Sequence, residues 1–178
     1  MLAFQALPIP KVSVAWSEEA PLPGEQYIPA YKTPNGSELT LIYIGTSTCY
    51  ACNVDYLPET IEQLKLLVQQ KANAQGRTFV AQGISLDWGV KKGVEHLEKM
   101  GLFDEITAGR NWFNSGALKY IWQDIPGEAA TPSLLVLERN MVSGEVGSAL
   151  QNERLLIRKI GAGEIQKWLE AGAPLPVL

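Results

Sequence analysis

The chain has 178 residues, of which 46% are apolar, and a formal net charge of −4 with a pI near 5.1. This length suits one domain with a substantial core, and lysines and arginines scattered singly or in pairs exclude the basic surface that nucleic-acid binding requires. The uncharged runs are too short for a spanning helix. We therefore expect no nucleic-acid partner and no membrane insertion.

The location of the protein in the cell is left open by its sequence. The first eight residues, MLAFQALP, contain neither a basic segment nor an apolar stretch long enough for a secretory signal. This start favours a cytoplasmic location for the chain as written, whereas the removal of a leader would favour an extracytoplasmic one.

Residues 1–37 are predicted to form a proline-rich N-terminal extension. Six of the eleven prolines lie there, and they flank one possible strand at 11–16. After a turn at 34–37, the apolar and β-branched run 39–45 predicts a strand that is covered on both faces. We take 38–178 as the folded domain.

Strands and helices alternate after this first strand. Apolar residues three and four positions apart predict a helix over about 49–73. A second buried strand is predicted at 77–86, followed by a helix at 90–100 that Gly101 closes. A short strand at 103–107 and a short helix at 117–123 come next.

The last third of the chain predicts a hairpin and a final helix. Strands at 133–138 and 154–160 are expected to pair antiparallel across the turn-rich segment 139–153, and a helix follows at 164–171. The fold class is therefore α/β, with a central mixed sheet and helices on both faces.

The only two cysteines, Cys49 and Cys52, lie where the buried strand passes into the long helix. Their spacing excludes a disulfide framework between distant segments. With Thr46, Ser47 or Thr48 as N-cap, free N–H groups and the helix dipole would stabilise a thiolate at Cys49. CxxC thiols in such positions titrate at roughly 3.5 to 7.5. Cys49 would then attack a substrate disulfide, and Cys52 would resolve the mixed disulfide.

Two other interpretations of the dithiol are an unreactive pair and half of a zinc site. Two thiolates do not complete a tetrahedral zinc site, and His96, the only histidine, lies among charged residues where we expect it to be solvated. We therefore expect no metal and no separate cofactor. The redox group would be the Cys49–Cys52 disulfide itself.

The strand, the Cys49-Tyr50-Ala51-Cys52 dithiol, the long helix and a later Thr131-Pro132 that opens a strand together resemble the thioredoxin superfamily over roughly residues 38–172. The 83 positions between Cys49 and Pro132 (132 minus 49) leave room for an extra strand–helix unit. Residues 83–87 and 98–102 are similar to the TlpA-like branch of thiol–disulfide oxidoreductases.

This resemblance implies a thioredoxin-like fold with a strand–helix unit inserted before a cis-proline strand. It also implies that the Thr131–Pro132 bond is cis and lies beside the dithiol, where the Thr131 backbone holds the substrate. Substrate-binding residues would be Tyr50, Ala51, Thr131 and Pro132.

The resemblance also suggests a proton acceptor for the resolving thiol. The TlpA-like branch often has an acid three positions after the second cysteine, which corresponds here to Asp55, and a carboxylate near Cys52 would act in catalysis by taking its proton. The alternative is an ordinary first-turn acid that favours the helix dipole.

The chain departs from the family pattern at three positions. Thr48 precedes Cys49 where the family usually has a tryptophan. Tyr43 replaces the aspartate that usually lies buried six positions before the first cysteine, so proton transfer is left to Asp55, Tyr43, water or an unassigned group. Pro58 follows Cys52 by six positions where the family usually has five, which predicts a displaced kink or an irregular first turn.

The expected activity is thiol–disulfide exchange with a disulfide-containing protein or small molecule, together with an electron donor or acceptor that the sequence does not identify. The alternative is a non-enzymatic thioredoxin-like binding module or redox-responsive sensor. The direction of electron flow is left open.

Overall fold

The computed structural model describes residues 24–30, 36–144 and 147–176. Five strands form one mixed sheet in the order β3-β2-β1-β4-β5. β1 pairs parallel with β2 and antiparallel with β4, β2 pairs parallel with β3, and β5 pairs antiparallel with β4. The strands are β1 (Gly36–Gly45), β2 (Thr78–Ser85), β3 (Glu105–Thr107), β4 (Ser133–Gly144) and β5 (Gly147–Ile160).

Helices cover both faces of the sheet. Because successive side chains of a strand point to opposite faces, β1 contributes Leu41 to one core and Ile42 to the other. The first core also contains residues of α1 (Leu57–Ala74), α2 (Val90–Glu98) and α4 (Ala162–Glu170). The second core contains residues of α3 (Ser115–Ala117) and of the π-helical turn Leu118–Trp122. The predicted α/β class, the mixed sheet and the helices on both faces are confirmed.

The prediction of a long turn-rich connection at 139–153 is wrong. β4 and β5 continue through most of this segment, and Arg139 on β4 pairs in register with Glu153 on β5. The Arg139 Nε atom donates to Glu153 Oε1 at 2.6 Å, and Arg139 also lies 3.6 Å from Glu38 on β1. Arg139, Glu153 and Glu38 thus form a buried ion cluster across three strands.

Part of the predicted N-terminal extension packs against the core. Tyr27 is fully buried, its ring meets Phe79 edge-to-face at 5.4 Å, and its backbone N–H donates to Glu62 at 3.0 Å. The boundary at residue 38 stays a prediction, and the possible strand at 11–16 lies outside the described residues. Within the described ranges, no helix has the length and apolar character needed to cross a membrane.

Candidate active site

The dithiol lies on a short turn that precedes the long helix. Residues Tyr50–Asn53 form a 3₁₀ turn, Val54 is extended, and α1 begins only at Leu57. The prediction that one helix starts near Cys49 is therefore wrong. Pro58 occupies the first turn of α1, where its missing N–H would have had no helical partner, so it causes no kink.

Asn53 holds this turn against the end of β1. Its Nδ2 donates to the carbonyl oxygens of Cys49 at 2.7 Å, Ser47 at 3.1 Å and Thr46 at 3.4 Å. The Cys52 N–H donates to the Cys49 carbonyl at 3.1 Å, which closes the turn. None of the three predicted N-cap side chains caps the turn, since Cys49 itself is the N-cap residue. No sequence pattern pointed to Asn53.

Asp87 anchors the loop from the other side. It follows β2, and its carboxylate accepts from the Ser47 N–H at 3.0 Å, the Ser47 hydroxyl at 2.5 Å and the Ser85 hydroxyl at 2.8 Å. Burial raises the pKa of Asp87, but these hydrogen bonds and His96 outweigh it, so the pKa lies below its usual range. Asp87 therefore remains a carboxylate that ties the dithiol loop to the sheet.

The two cysteines are free thiols in different surroundings. Cys49 is half-buried, and its Sγ lies 3.4 Å from the carbonyl oxygen of Thr131, whereas Cys52 is fully buried. The Thr131–Pro132 bond is cis, as the resemblance implied. The structure therefore brings the dithiol and the Thr131–Pro132 segment together, although they are far apart in the sequence.

The two thiols differ in their tendency to ionise. Burial raises the pKa of Cys49, but hydrogen bonds to its sulfur lower the pKa by more, so the net pKa lies below the ordinary value. These hydrogen bonds come from the side chains of Cys52 and Thr131 and from the backbone N–H groups of Cys52 and Ala51. Burial and the hydrogen bond with Cys49 raise the pKa of Cys52 to about 12. The expected thiolate at Cys49 is thus supported by local hydrogen bonds instead of by the dipole of a long helix.

His96 and Tyr43 lie behind the dithiol. The Tyr43 hydroxyl, on β1, is 3.1 Å from His96 Nε2, and burial together with the nearby Cys52 raises the pKa of Tyr43. The prediction that His96 is solvated is wrong, because α2 turns Gly93, His96 and Leu97 inward and leaves His96 only 1% exposed. The three-and-four spacing of these residues is the signal that would have placed His96 on the buried face.

The remaining predicted site residues lie around the opening. Asp55 is exposed and precedes α1 instead of projecting from its first turn. Tyr50 is 89% exposed beside Cys49, and Ala51 is half-buried. A cavity of about 300 Å³ is lined by Cys52, Asn53, Val54, Asp55, Pro58, Lys99 and Met100.

Among residues 24–30, 36–144 and 147–176, no three histidine, cysteine or carboxylate side chains converge as a metal-binding group. Comparisons with protein-family models, with curated proteins and with solved structures find no match for this chain.

Proposed function

We propose that this chain is a thiol–disulfide oxidoreductase with a thioredoxin-like fold, and that Cys49 and Cys52 exchange two electrons with a disulfide-containing substrate. The observation that carries the proposal is the asymmetry of the dithiol. A half-buried thiol of lowered pKa lies one turn from a buried thiol of raised pKa. A nucleophile and a resolving thiol need this difference, whereas an unreactive structural pair does not.

The order of the elements supports the thioredoxin-like assignment. A central strand leads into the dithiol and a long helix, and the cis Thr131–Pro132 bond precedes an antiparallel hairpin and a final helix. β3 and the helical residues 115–122 occupy the chain where we expected an inserted strand–helix unit.

The exchange takes place in two substitutions at sulfur. The Cys49 thiolate attacks one sulfur of the substrate disulfide, which forms a mixed disulfide and releases the first substrate thiolate. Cys52, as thiolate, then attacks Cys49 Sγ, which forms the Cys49–Cys52 disulfide and releases the second substrate thiolate. The substrate gains two electrons and the dithiol loses two. A dithiol donor restores the enzyme by the same chemistry, and an oxidising disulfide would drive the cycle in reverse.

The surroundings of Cys49 favour a polypeptide over a small molecule as substrate. In the free protein the Cys49 thiol donates to the carbonyl of Thr131, and the N–H of an incoming extended chain would take over that acceptor. Tyr50 at 89% exposure and Trp88 at 72% leave two large aromatic surfaces near the dithiol loop. Exposed aromatic side chains are typical of surfaces that bind other proteins.

Insulin reduction with a dithiol donor tests the proposal. We expect wild-type protein to accelerate the precipitation of the reduced insulin B chain over many turnovers, and Cys49→Ser to abolish the acceleration. Equal inactivity of both proteins with several dithiol donors would refute the enzyme assignment. The reduction potential of the couple then gives the direction, with roughly −270 mV for a reductant and roughly −120 mV for an oxidant.

The second candidate function is a redox-responsive binding module, which the exposed Tyr50 and Trp88 rings favour. Such a module would form and break the Cys49–Cys52 disulfide without repeated turnover. It would therefore react with one equivalent of a disulfide reagent and still fail in the insulin assay.

A further inference from the structure

Cys52 must lose a proton before it can resolve a mixed disulfide, because the thiolate is the attacking form. Its side chain has no exposed surface, and burial raises its pKa. The predicted acceptor, Asp55, is exposed on the loop before α1. Asp55 and Cys52 line the same cavity, so a route through solvent is open, and the buried side of the thiol offers a second route for the proton.

Tyr43 and His96 occupy that side. The Tyr43 hydroxyl lies 3.1 Å from His96 Nε2, and Cys52 is near enough to raise the pKa of Tyr43, so the three proton-carrying groups are neighbours. None of the three residues is more than 1% exposed. In the part of the chain that the structure describes, His96 Nδ1 has no hydrogen-bond partner. A buried ring nitrogen without a partner is costly, so packing alone is a poor reason to keep a histidine here.

The contact between Tyr43 and His96 requires a glycine at the end of β1, at position 45. A Cβ atom at residue 45 would overlap the Tyr43 hydroxyl and would lie 2.8 Å from His96 Nε2. Glycine at this position thus allows the tyrosine and the histidine to meet above the strand.

We propose that Tyr43 and His96, here called the Tyr–His pair, carry the proton away from Cys52 during the resolving step. This inference rests on the proposed function. The Cys52 S–H bond breaks and its proton passes to the Tyr43 oxygen, while the Tyr43 proton passes to His96 Nε2. The freed electron pair of Cys52 forms the bond to Cys49 Sγ, and the bond from Cys49 to the substrate sulfur breaks. The substrate leaves as a thiolate, and the imidazolium and the thiolate are neutralised through solvent.

The charges around His96 suit the role of a base. The titratable or charged groups that face it are Tyr43 from β1, Asp87 after β2 and Lys99 after α2. Burial lowers the pKa of His96, Asp87 raises it and Lys99 lowers it, and the net value lies below the ordinary one. Neutral His96 can therefore accept a proton at pH 7. Burial and the nearby thiols raise the pKa of Tyr43, so the phenol relays the proton and does not hold a charge.

The test separates the two chemical steps with dithionitrobenzoate, a chromogenic aromatic disulfide. Cys49 attack releases the first chromophore and Cys52 resolution releases the second, so stopped-flow absorbance follows each step. The variants are Tyr43→Phe and His96→Gln, and the control is Tyr56→Phe, which removes a hydroxyl from a partly exposed tyrosine before α1. Glutamine keeps an amide opposite Tyr43 but cannot take up the proton.

We expect the first phase to change by less than about twofold in both variants and the second phase to slow at least about tenfold, with no change in the control. In wild-type protein the second phase should be independent of pH above the pKa of His96 and should slow as the pH falls through that pKa, below about 6.5. In His96→Gln the plateau should disappear and the rate should fall about tenfold per pH unit throughout, because Cys52, with a pKa of about 12, then loses its proton only to solvent.

Second-phase rates in Tyr43→Phe and His96→Gln equal to wild type would overturn the role of the Tyr–His pair and leave the proposed function standing. Release of only one chromophore by wild-type protein would refute the proposed function itself. Should either variant fail to fold, the wild-type profile decides, because a second phase that does not slow below about pH 6.5 excludes His96 as the base.

Discussion

Limited alkylation of the reduced protein should modify Cys49 and spare Cys52. With a pKa of about 12, Cys52 is ionised to about one part in ten thousand at pH 8, whereas Cys49, with a pKa below 9.0, is at least about one-tenth ionised. This is about a thousandfold difference in thiolate. Because the Cys52 thiolate is the more basic of the two, it is roughly thirtyfold more nucleophilic once formed, which offsets part of this difference. Alkylation of Cys49 should therefore still be at least about thirtyfold faster than that of Cys52, before the burial of Cys52 slows it further.

Iodoacetamide at pH 8 with peptide mass spectrometry measures this preference. The rate at Cys49 should rise with pH and level off above its pKa. Modification of Cys52 within about threefold of the rate at Cys49 would refute the reasoning.

Two variants isolate the effect of the Cys52 hydrogen bond on the pKa of Cys49. Burial raises the pKa of Cys49, and the Cys52 hydrogen bond opposes it most strongly. Cys52→Ser keeps a donor and Cys52→Ala removes it, so thiolate absorbance should give the higher Cys49 pKa in the alanine variant.

Three further predictions concern stability in urea. Gly45→Ala should lower the free energy of unfolding by about 1–3 kcal/mol because its Cβ meets the Tyr–His pair. Gly163→Ala, whose Cβ meets open space in the first turn of α4, should not lower it, and equal losses in the two variants would contradict the close approach. Arg139→Ala leaves buried carboxylates without their cation and should lower the free energy of unfolding by about 3–5 kcal/mol. The exposed Arg154→Ala should lower it by less than about 1 kcal/mol, and similar losses in the two variants would show that the Arg139 cluster is hydrated. Pro58→Ala should change stability by less than about 1 kcal/mol, and a gain near 3 kcal/mol would place the proline inside a strained helix.

The sheet was predictable wherever hydrophobic periodicity was strong. β1 and β2 are buried on both faces, and their near-continuous apolar runs located them closely. β4 and β5 were cut short because residues 139–144 and 147–153 are rich in polar residues, serine and glycine, which are typical of turns. In a sequence, Arg139 and Glu153 are indistinguishable from solvated charges, since only the strand register shows that they pair with each other.

The start of the long helix was missed for a similar reason. Periodicity fits the dithiol turn and α1 as one helix, and Pro58 within it predicted a displaced kink or an irregular first turn. The interruption depends on Asn53, whose side chain takes up three carbonyl oxygens of the preceding loop. Such a polar contact leaves no periodic signal, so the sequence located the dithiol but not the backbone conformation that holds it.

The replacement of an expected buried aspartate by Tyr43 changes the electrostatics of the dithiol. A carboxylate at this position would add a negative charge beside Cys49 and oppose its ionisation, whereas a neutral phenol and imidazole leave the lowered pKa of Cys49 intact. The negative charge lies instead on Asp87, whose field favours protonated His96 and whose oxygens hold Ser47 in the dithiol loop. In the proposed exchange, Asp87 would thus both position the attacking Cys49 and favour the protonation of His96.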